Sequence, residues 1–250
     1  MFDFGNANDG QRKAIAAADG PVLITAGPGT GKTYTLVQRA IYLIEECNVR
    51  PESIFIATFT EKAAKELVTR ITNELANRNI TANINEMYIG TFHSLCLRML
   101  KEHLEYTRLR RNYRLMDSFD QQYMVFQNIH RFRSIPEIEI VLPNGGAWKQ
   151  AETICNFVNN LSEELVSPEE LMSDHDPSIA SLGRMLQEYR TILTEANLMD
   201  FSSIQIEAYR LLCDNEGILN ELRSAITHIM VDEYQDTNYI QEQLVFLLAG

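Results

Sequence analysis

The sequence predicts an α/β fold, a parallel sheet flanked by helices and interrupted by a mainly α-helical insertion. Three observations predict it. Short apolar runs alternate with helical stretches up to about Tyr113. A glycine-rich loop, "AGPGTGKT" from Ala26 to Thr33, joins one such run to a helical stretch. Strand character then disappears from Asp117 to about Ala196 and returns at "HIMVDE", His228 to Glu233. Strands that alternate with helices pair in parallel, with helices covering the sheet faces.

Taken in order, residues 21–26 read as a buried strand, short, apolar and bounded by Gly20-Pro21 and the glycine loop. A helix from about Gly31 to Glu46 follows. "SIFIAT", Ser53 to Thr58, is a second buried strand. "EKAAKELVTRITNELA" is a helix with Ala63, Leu67, Ile71 and Leu75 on one stripe. "MYIGT" is a third strand and "FHSLCLRMLKEHLEY" another helix. Beyond Tyr113 come helical patterns and loops. "RSIPEIEIVLPNGGAW" is a Pro/Gly-rich break in which "EIEIVL" could form a short strand. Helices cover Trp148 to Leu165 and Pro177 to Ala196, and a last one ends near Gly250. The expected organisation is a nucleotide-binding α/β domain in two parts, 1–112 and 197–250, around a helical insertion, 113–196.

The 250 residues are 45% hydrophobic, enough for a core, and 22% charged, which argues against wholesale disorder. The four cysteines, Cys47, Cys96, Cys155 and Cys213, are scattered without a CxxC or Cys/His cluster, so structural zinc is unsupported and a reduced compartment fits. The N-terminus lacks a signal-peptide layout, and no apolar run approaches the ~20 residues of a membrane span. The expectation is a soluble, cytoplasmic protein with no membrane partner. The net charge of -12 is unevenly spread. Residues 1–115 carry 15 Lys+Arg against 12 Asp+Glu, and residues 116–250 carry 7 against 22. A polyanion would therefore meet the N-terminal half, whose most basic stretch is Lys101 to Arg114.

The loop fits the phosphate-binding pattern G-x-x-x-x-G-K-[ST], with Ala26 at the first position, then Gly27, Pro28, Gly29, Thr30, Gly31, Lys32 and Thr33. Its glycines permit backbone angles that turn N–H groups inward around phosphates, and the helix that follows adds its positive end. Lys32 supplies charge to the β- and γ-oxygens, and the Thr33 hydroxyl joins a Mg²⁺ shell. The plainer alternative is a glycine-rich turn before an ordinary helix. The required acidic partner is "HIMVDEYQD", which puts Asp232 and Glu233 at the carboxyl end of a buried strand, where open parallel sheets bind ligands. Asp232 is the candidate Mg²⁺ ligand. Glu233 is the candidate general base toward water. ATP with Mg²⁺ is the cofactor pair this arrangement calls for.

With these residues in view, the chain resembles the N-terminal part of the superfamily 1 DNA helicases of the UvrD/Rep/PcrA group. "NDGQRKAI" resembles the family's Q motif, whose glutamine, here Gln11, reads adenine. "AGPGTGKT" resembles its phosphate loop. Arg39 falls where members place an arginine near the base. "IATFTEKAAKEL", "IGTFHSLCLRML" and "VDEYQDTNYIQ" resemble motifs Ia, Ib and II, and "NLMDFSSI" the return from the insertion. The resemblance implies a P-loop NTPase of RecA-like fold. It implies ATP-driven translocation, 3′ to 5′, on single-stranded DNA or a 3′-tailed duplex, with repair or recombination proteins as partners. It assigns DNA contacts to Phe59 through base stacking, and to Thr91 and His93. Gln235 and Thr58 or Thr60 would couple the nucleotide and DNA sites. The plainer alternatives are a core aromatic for Phe59 and a helix-start residue for His93. Glu61 departs from the pattern, since asparagine is common there. Ser202-Ser203 and Ala7 also depart.

The family's next block and second motor domain do not follow Gly250. The expectation is a fragment with little ATP turnover of its own. Two alternatives stay open: the motor part of a helicase–nuclease of the RecB/AddA type, and a non-hydrolysing module that binds DNA or protein.

Overall fold

The computed structural model describes residues 2–17 and 19–250. In chain order the elements are α1 (Asp9–Ala16), α2 (Lys32–Glu45), β1 (Ile54–Thr58), α3 (Glu61–Asn77), β2 (Tyr88–Thr91) and α4 (Phe92–Glu102). Then come β3 (Arg114–Leu115), α5 (Ser118–Gln127), α6 (Ile129–Arg133), α7 (Ala147–Glu163), α8 (Pro168–Met172), α9 (Pro177–Ala196) and β4 (Leu198–Met199). The chain ends with α10 (Phe201–Asp214), α11 (Glu216–Ala225), β5 (His228–Val231) and α12 (Tyr239–Ala249). Two compact units form: Met1–Leu95, Gly217–Thr237 and Val245–Gly250 in one, Cys96–Glu216 and Asn238–Leu244 in the other. None of the described helices is long and apolar enough to cross a membrane.

The first unit is built on a three-stranded parallel sheet in the order β2-β1-β5. The central strand IFIAT is buried at every residue, which is why it reads as a continuous apolar run and not as an alternating one. Ile54 and Ile56 pack with Ile41 and Leu43 of α2 and Leu67 and Ile71 of α3. Each such side chain stabilises by roughly 1.5–3 kcal/mol when fully buried. On α3 the buried stripe is Ala64, Leu67, Ile71 and Leu75, so Ala64 takes the place expected of Ala63. The helix starts at Thr60, whose hydroxyl accepts from the Ala63 N–H at 3.1 Å.

The strand expected over residues 21–26 is a correction. The segment is irregular and pairs with no strand. Val22, Leu23 and Ile24 are exposed by 42%, 83% and 41%. An apolar run reports what a segment can bury; a strand also needs a neighbouring edge to supply its hydrogen bonds. The run stays off the outer edge of β5, the only edge of that strand left unpaired among the described residues.

The second unit is mainly helical. Its core gathers Val125, Phe132, Ile154, Met185, Leu186 and Tyr189 from α5, α6, α7 and α9. Two further expectations are corrected here. "EIEIVL" is no strand: Ile138–Ile140 form a 3-10 turn. A short parallel pair, β3 with β4, was missed, because two residues are too few for any periodicity. The long α9 begins where Asp176 caps it and Pro177 takes the first helical position. Gly183 lies where α9 meets α8. A Cβ there would come within 2.7 Å of the Met172 nitrogen and 2.8 Å of the Pro168 oxygen, both backbone atoms. Gly183→Ala is therefore expected to destabilise this unit by about 1–3 kcal/mol, as overpacking does; a urea titration showing an unchanged midpoint would contradict that packing.

Candidate functional site

The site forms at the carboxyl ends of the strands of the first unit. Parallel register sets Ala57 beside Val231, and the Asp232 N–H continues the ladder by donating to the Ala57 carbonyl at 2.9 Å. The acidic pair thus follows the last bonded step of β5. Glu233 then turns into the left-handed region, with φ of 52°. A side chain at that angle carries strain of the kind found at functional sites.

The glycine loop meets this edge. Gly29 and Gly31 have φ of 74° and 87°, and Gly31 stands immediately before α2. The angle at Gly31 favours glycine, and a Cβ there would also displace the Gln11 amide nitrogen, 2.9 Å away, from its place against the loop. The loop closes on itself through the Thr30 hydroxyl, which donates to the Gly27 carbonyl at 2.8 Å. Thr33 lies in the first turn of α2, where free backbone N–H groups and the helix dipole favour an anion. Ala26 and Pro28 complete the loop without side-chain hydrogen bonds.

Lys32 and Glu233 are the central contact. The Lys32 ammonium lies 3.0 Å from one Glu233 oxygen and donates to the other at 3.1 Å. The Gln235 amide also donates to Glu233, at 2.6 Å. These two hydrogen bonds, Gln235 first and Lys32 second, hold the Glu233 carboxyl below its usual range. Asp232 shifts the other way: burial, and then the Glu233 charge, raise its carboxyl above the usual range. A carboxyl raised on folding disfavours the folded state increasingly as pH rises through its titration, and a cation beside it would offset that. The residues therefore fit a divalent ion, with Asp232 and the Thr33 hydroxyl as the available oxygens.

Gln11 reaches the loop as well. Its amide donates to the Thr30 carbonyl at 3.0 Å, and its oxygen accepts from the Asn8 N–H at 2.9 Å, closing a capping box on α1. Arg39 is 8% exposed and donates to the Ala14 carbonyl at 2.7 Å, so it braces α2 against the end of α1.

Phe59 follows β1 and is 63% exposed, which removes the alternative of a core ring. Thr91, at the end of β2, is buried, and its hydroxyl donates to the Glu61 carboxylate and to Ser94, each at 3.2 Å. His93 is half-buried, and burial lowers its pKa, which favours the neutral ring. Thr58 turns its hydroxyl to the Thr60 carbonyl at 3.1 Å. Sequence reasoning missed the Glu61–Thr91 bond, since nothing in "TFTEKAA" signals a partner 30 residues on.

The site therefore combines a glycine loop, an acidic strand end on a parallel sheet edge and an exposed aromatic after the neighbouring strand. The family model for the UvrD/REP helicase N-terminal domain matches residues 7–250, and the chain belongs to that family. Among curated proteins, DNA helicase II of Haemophilus influenzae is 35% identical over 97% of this chain and 32% of its own length. ATP-dependent DNA helicase PcrA of Staphylococcus epidermidis is 31% identical over 98% of this chain and 32% of its own. ATP-dependent DNA helicase SRS2 of Saccharomyces cerevisiae is 34% identical over 90% of this chain and 20% of its own. The chain thus spans a third or less of the length of these relatives.

Proposed function

We propose that this chain is the ATP-binding motor part of an ATP-dependent DNA helicase that moves 3′ to 5′ on single-stranded DNA, on a RecA-like P-loop fold, with residues 113–196 as its helical insertion. The observation that carries the reading is the Lys32–Glu233 pair, because it joins phosphate loop to acidic strand end across 201 residues of sequence. Mg²⁺, when bound with ATP, supplies Lewis-acid stabilisation of charge on the phosphates. The chain's residues do the rest. Loop N–H groups and Lys32 hold the β- and γ-phosphates, and Asp232 and Thr33 hold the cation. Lys32 can serve the γ-phosphate only by leaving Glu233. That exchange frees Glu233 to orient water and accept its proton, and removes one of the two hydrogen bonds that weaken it as a base. Gln235, bonded to Glu233, is placed to sense the same change. Gln11, already against Thr30, is placed to report the base.

DNA binding in this reading runs over Phe59, with Thr91 and His93 beside it, and base stacking there tolerates any sequence. Glu61 sets a carboxylate next to that track. Glu61→Gln is expected to strengthen binding of an oligo-dT strand about two- to five-fold at low salt, an advantage that fades as salt screens it. Fluorescence anisotropy across a salt series checks this; equal affinities at every salt concentration would remove Glu61 from the track. The experiment that tests the motor reading is Mg-ATP hydrolysis by the full-length protein with and without single-stranded DNA, with Lys32→Ala as control. Absence of hydrolysis in the unaltered protein would favour a binding module instead.

A further inference from the structure

The second unit contains a small cavity that the proposed motor does not use. Its volume is about 30 Å³, room for one water or one ion of halide size. Arg108, Arg190 and Arg210 all line it, with Glu207 and Asp200 as the lining carboxylates. The three arginines come from separate places: the segment after α4, the middle of α9, and α10. Such convergence of like charges needs compensation, and the two lining carboxylates leave one positive charge over.

Glu207 serves two arginines with one oxygen. It accepts from Arg108 Nε at 2.7 Å and lies 3.7 Å from Arg210 Nη1. Asp200 is already committed to the Tyr189 hydroxyl, the Gln121 amide and the Ser203 N–H. Glu169 acts on Arg190 and Arg210 only from the exposed surface. The Arg190 guanidinium, on a half-buried residue, makes no hydrogen bond or ion pair among the described residues; Glu169 and Glu207 act on it only through their charge. The Arg108 Nη1 atom is fully buried and also without a partner. Burial, and then Arg210, push Arg190 down to about 10, and the charges of Glu169 and Glu207 only partly offset them. Guanidinium groups are donors only, so what is missing is an acceptor. A water would supply an acceptor but no charge; an anion supplies both.

We propose that the cavity among Arg108, Arg190 and Arg210 binds a single small inorganic anion of halide size. The ion would sit between α9 and α10 and fasten both to the segment after α4.

The test is thermal unfolding of the protein, followed through Trp148, its only tryptophan, in potassium chloride and in potassium glutamate at equal ionic strength. Glutamate is much the bulkier anion, and as an excluded solute it would be the better general stabiliser. The expected result is the reverse order, with a midpoint about 2–4 °C higher in chloride. Arg190→Gln and Arg210→Gln are each expected to abolish that advantage. Equal midpoints, a higher midpoint in glutamate, or a chloride advantage that survives both substitutions would overturn the site. Crystals soaked in bromide give a second readout that needs no variant. An anomalous peak inside the cavity supports the proposal, and a cavity without one overturns it.

Discussion

Glu233→Gln in the full-length protein is expected to lower the rate of Mg-ATP hydrolysis by about 10²–10⁴, the usual contribution of a general base. Nucleotide binding should survive. Glutamine keeps the shape and one acceptor oxygen, but it cannot take a proton, and it no longer competes as an anion for Lys32. The expected signature is therefore split: kcat collapses while affinity for ATP holds or improves. Steady-state hydrolysis combined with titration of a fluorescent nucleotide separates the two. A variant with unaltered kcat would dismiss Glu233 as the base. A variant that loses binding and turnover together would mean that Glu233 shapes the site and does not act on water.

The second large effect concerns stability. Asp200 is 2% exposed in the helical unit. Its side chain accepts from the Ser203 N–H at 2.7 Å to cap α10, and from the Tyr189 hydroxyl and the Gln121 amide. Burial, and then the Asp200 charge, keep the Tyr189 phenol protonated well above its ordinary range. Asp200→Ala strips a cap and leaves the buried Tyr189 hydroxyl without an acceptor, while the Gln121 amide keeps Asn159 and the Tyr189 oxygen as acceptors. The expected loss is about 2–4 kcal/mol, built from roughly 1 kcal/mol for the cap and 1–3 for the stranded hydroxyl. Asp200→Asn keeps one acceptor oxygen and should lose less. Urea titration followed through Trp148, which lies in the same unit, reads both variants. A loss under about 1 kcal/mol for the alanine variant would show that water replaces the carboxylate.

Much of this was legible in the chain, for physical reasons that differ by element. Helices α3 and α9 declare themselves by stripe and cap, α2 by following the glycine loop, and β1 by an apolar run fully buried in place. The phosphate loop is legible because its chemistry demands fixed residue types at fixed spacing. Residues 21–26 show the limit of that reading, since an apolar run carries no information about whether an edge receives it. The Asp200 hub shows another. The local sign was present, an aspartate three residues before Ser203, as a capping box requires. Its remote partners, Gln121 and Tyr189, are separated from it by 79 and 11 residues, and no spacing rule links them. The Arg108–Arg190–Arg210 cavity was illegible for the same reason: its charges converge only after folding.

The Lys32–Glu233 contact carries one more consequence. The loop already holds an anion of the chain's own making, a carboxylate 3.0 Å from the Lys32 ammonium. Any incoming ligand must outbid it. A ligand that brings a single weakly basic oxygen gains little from Lys32, because it merely exchanges one anionic contact for another. A triphosphate also recruits the loop N–H groups and a cation near Asp232, gains closed to an ordinary metabolite carboxylate. In the proposed cycle, loss of the terminal phosphate would return Lys32 to the Glu233 carboxylate and so favour release of what remains. The residue that prepares the water would thus also set the threshold for entry and hasten the exit of the spent nucleotide.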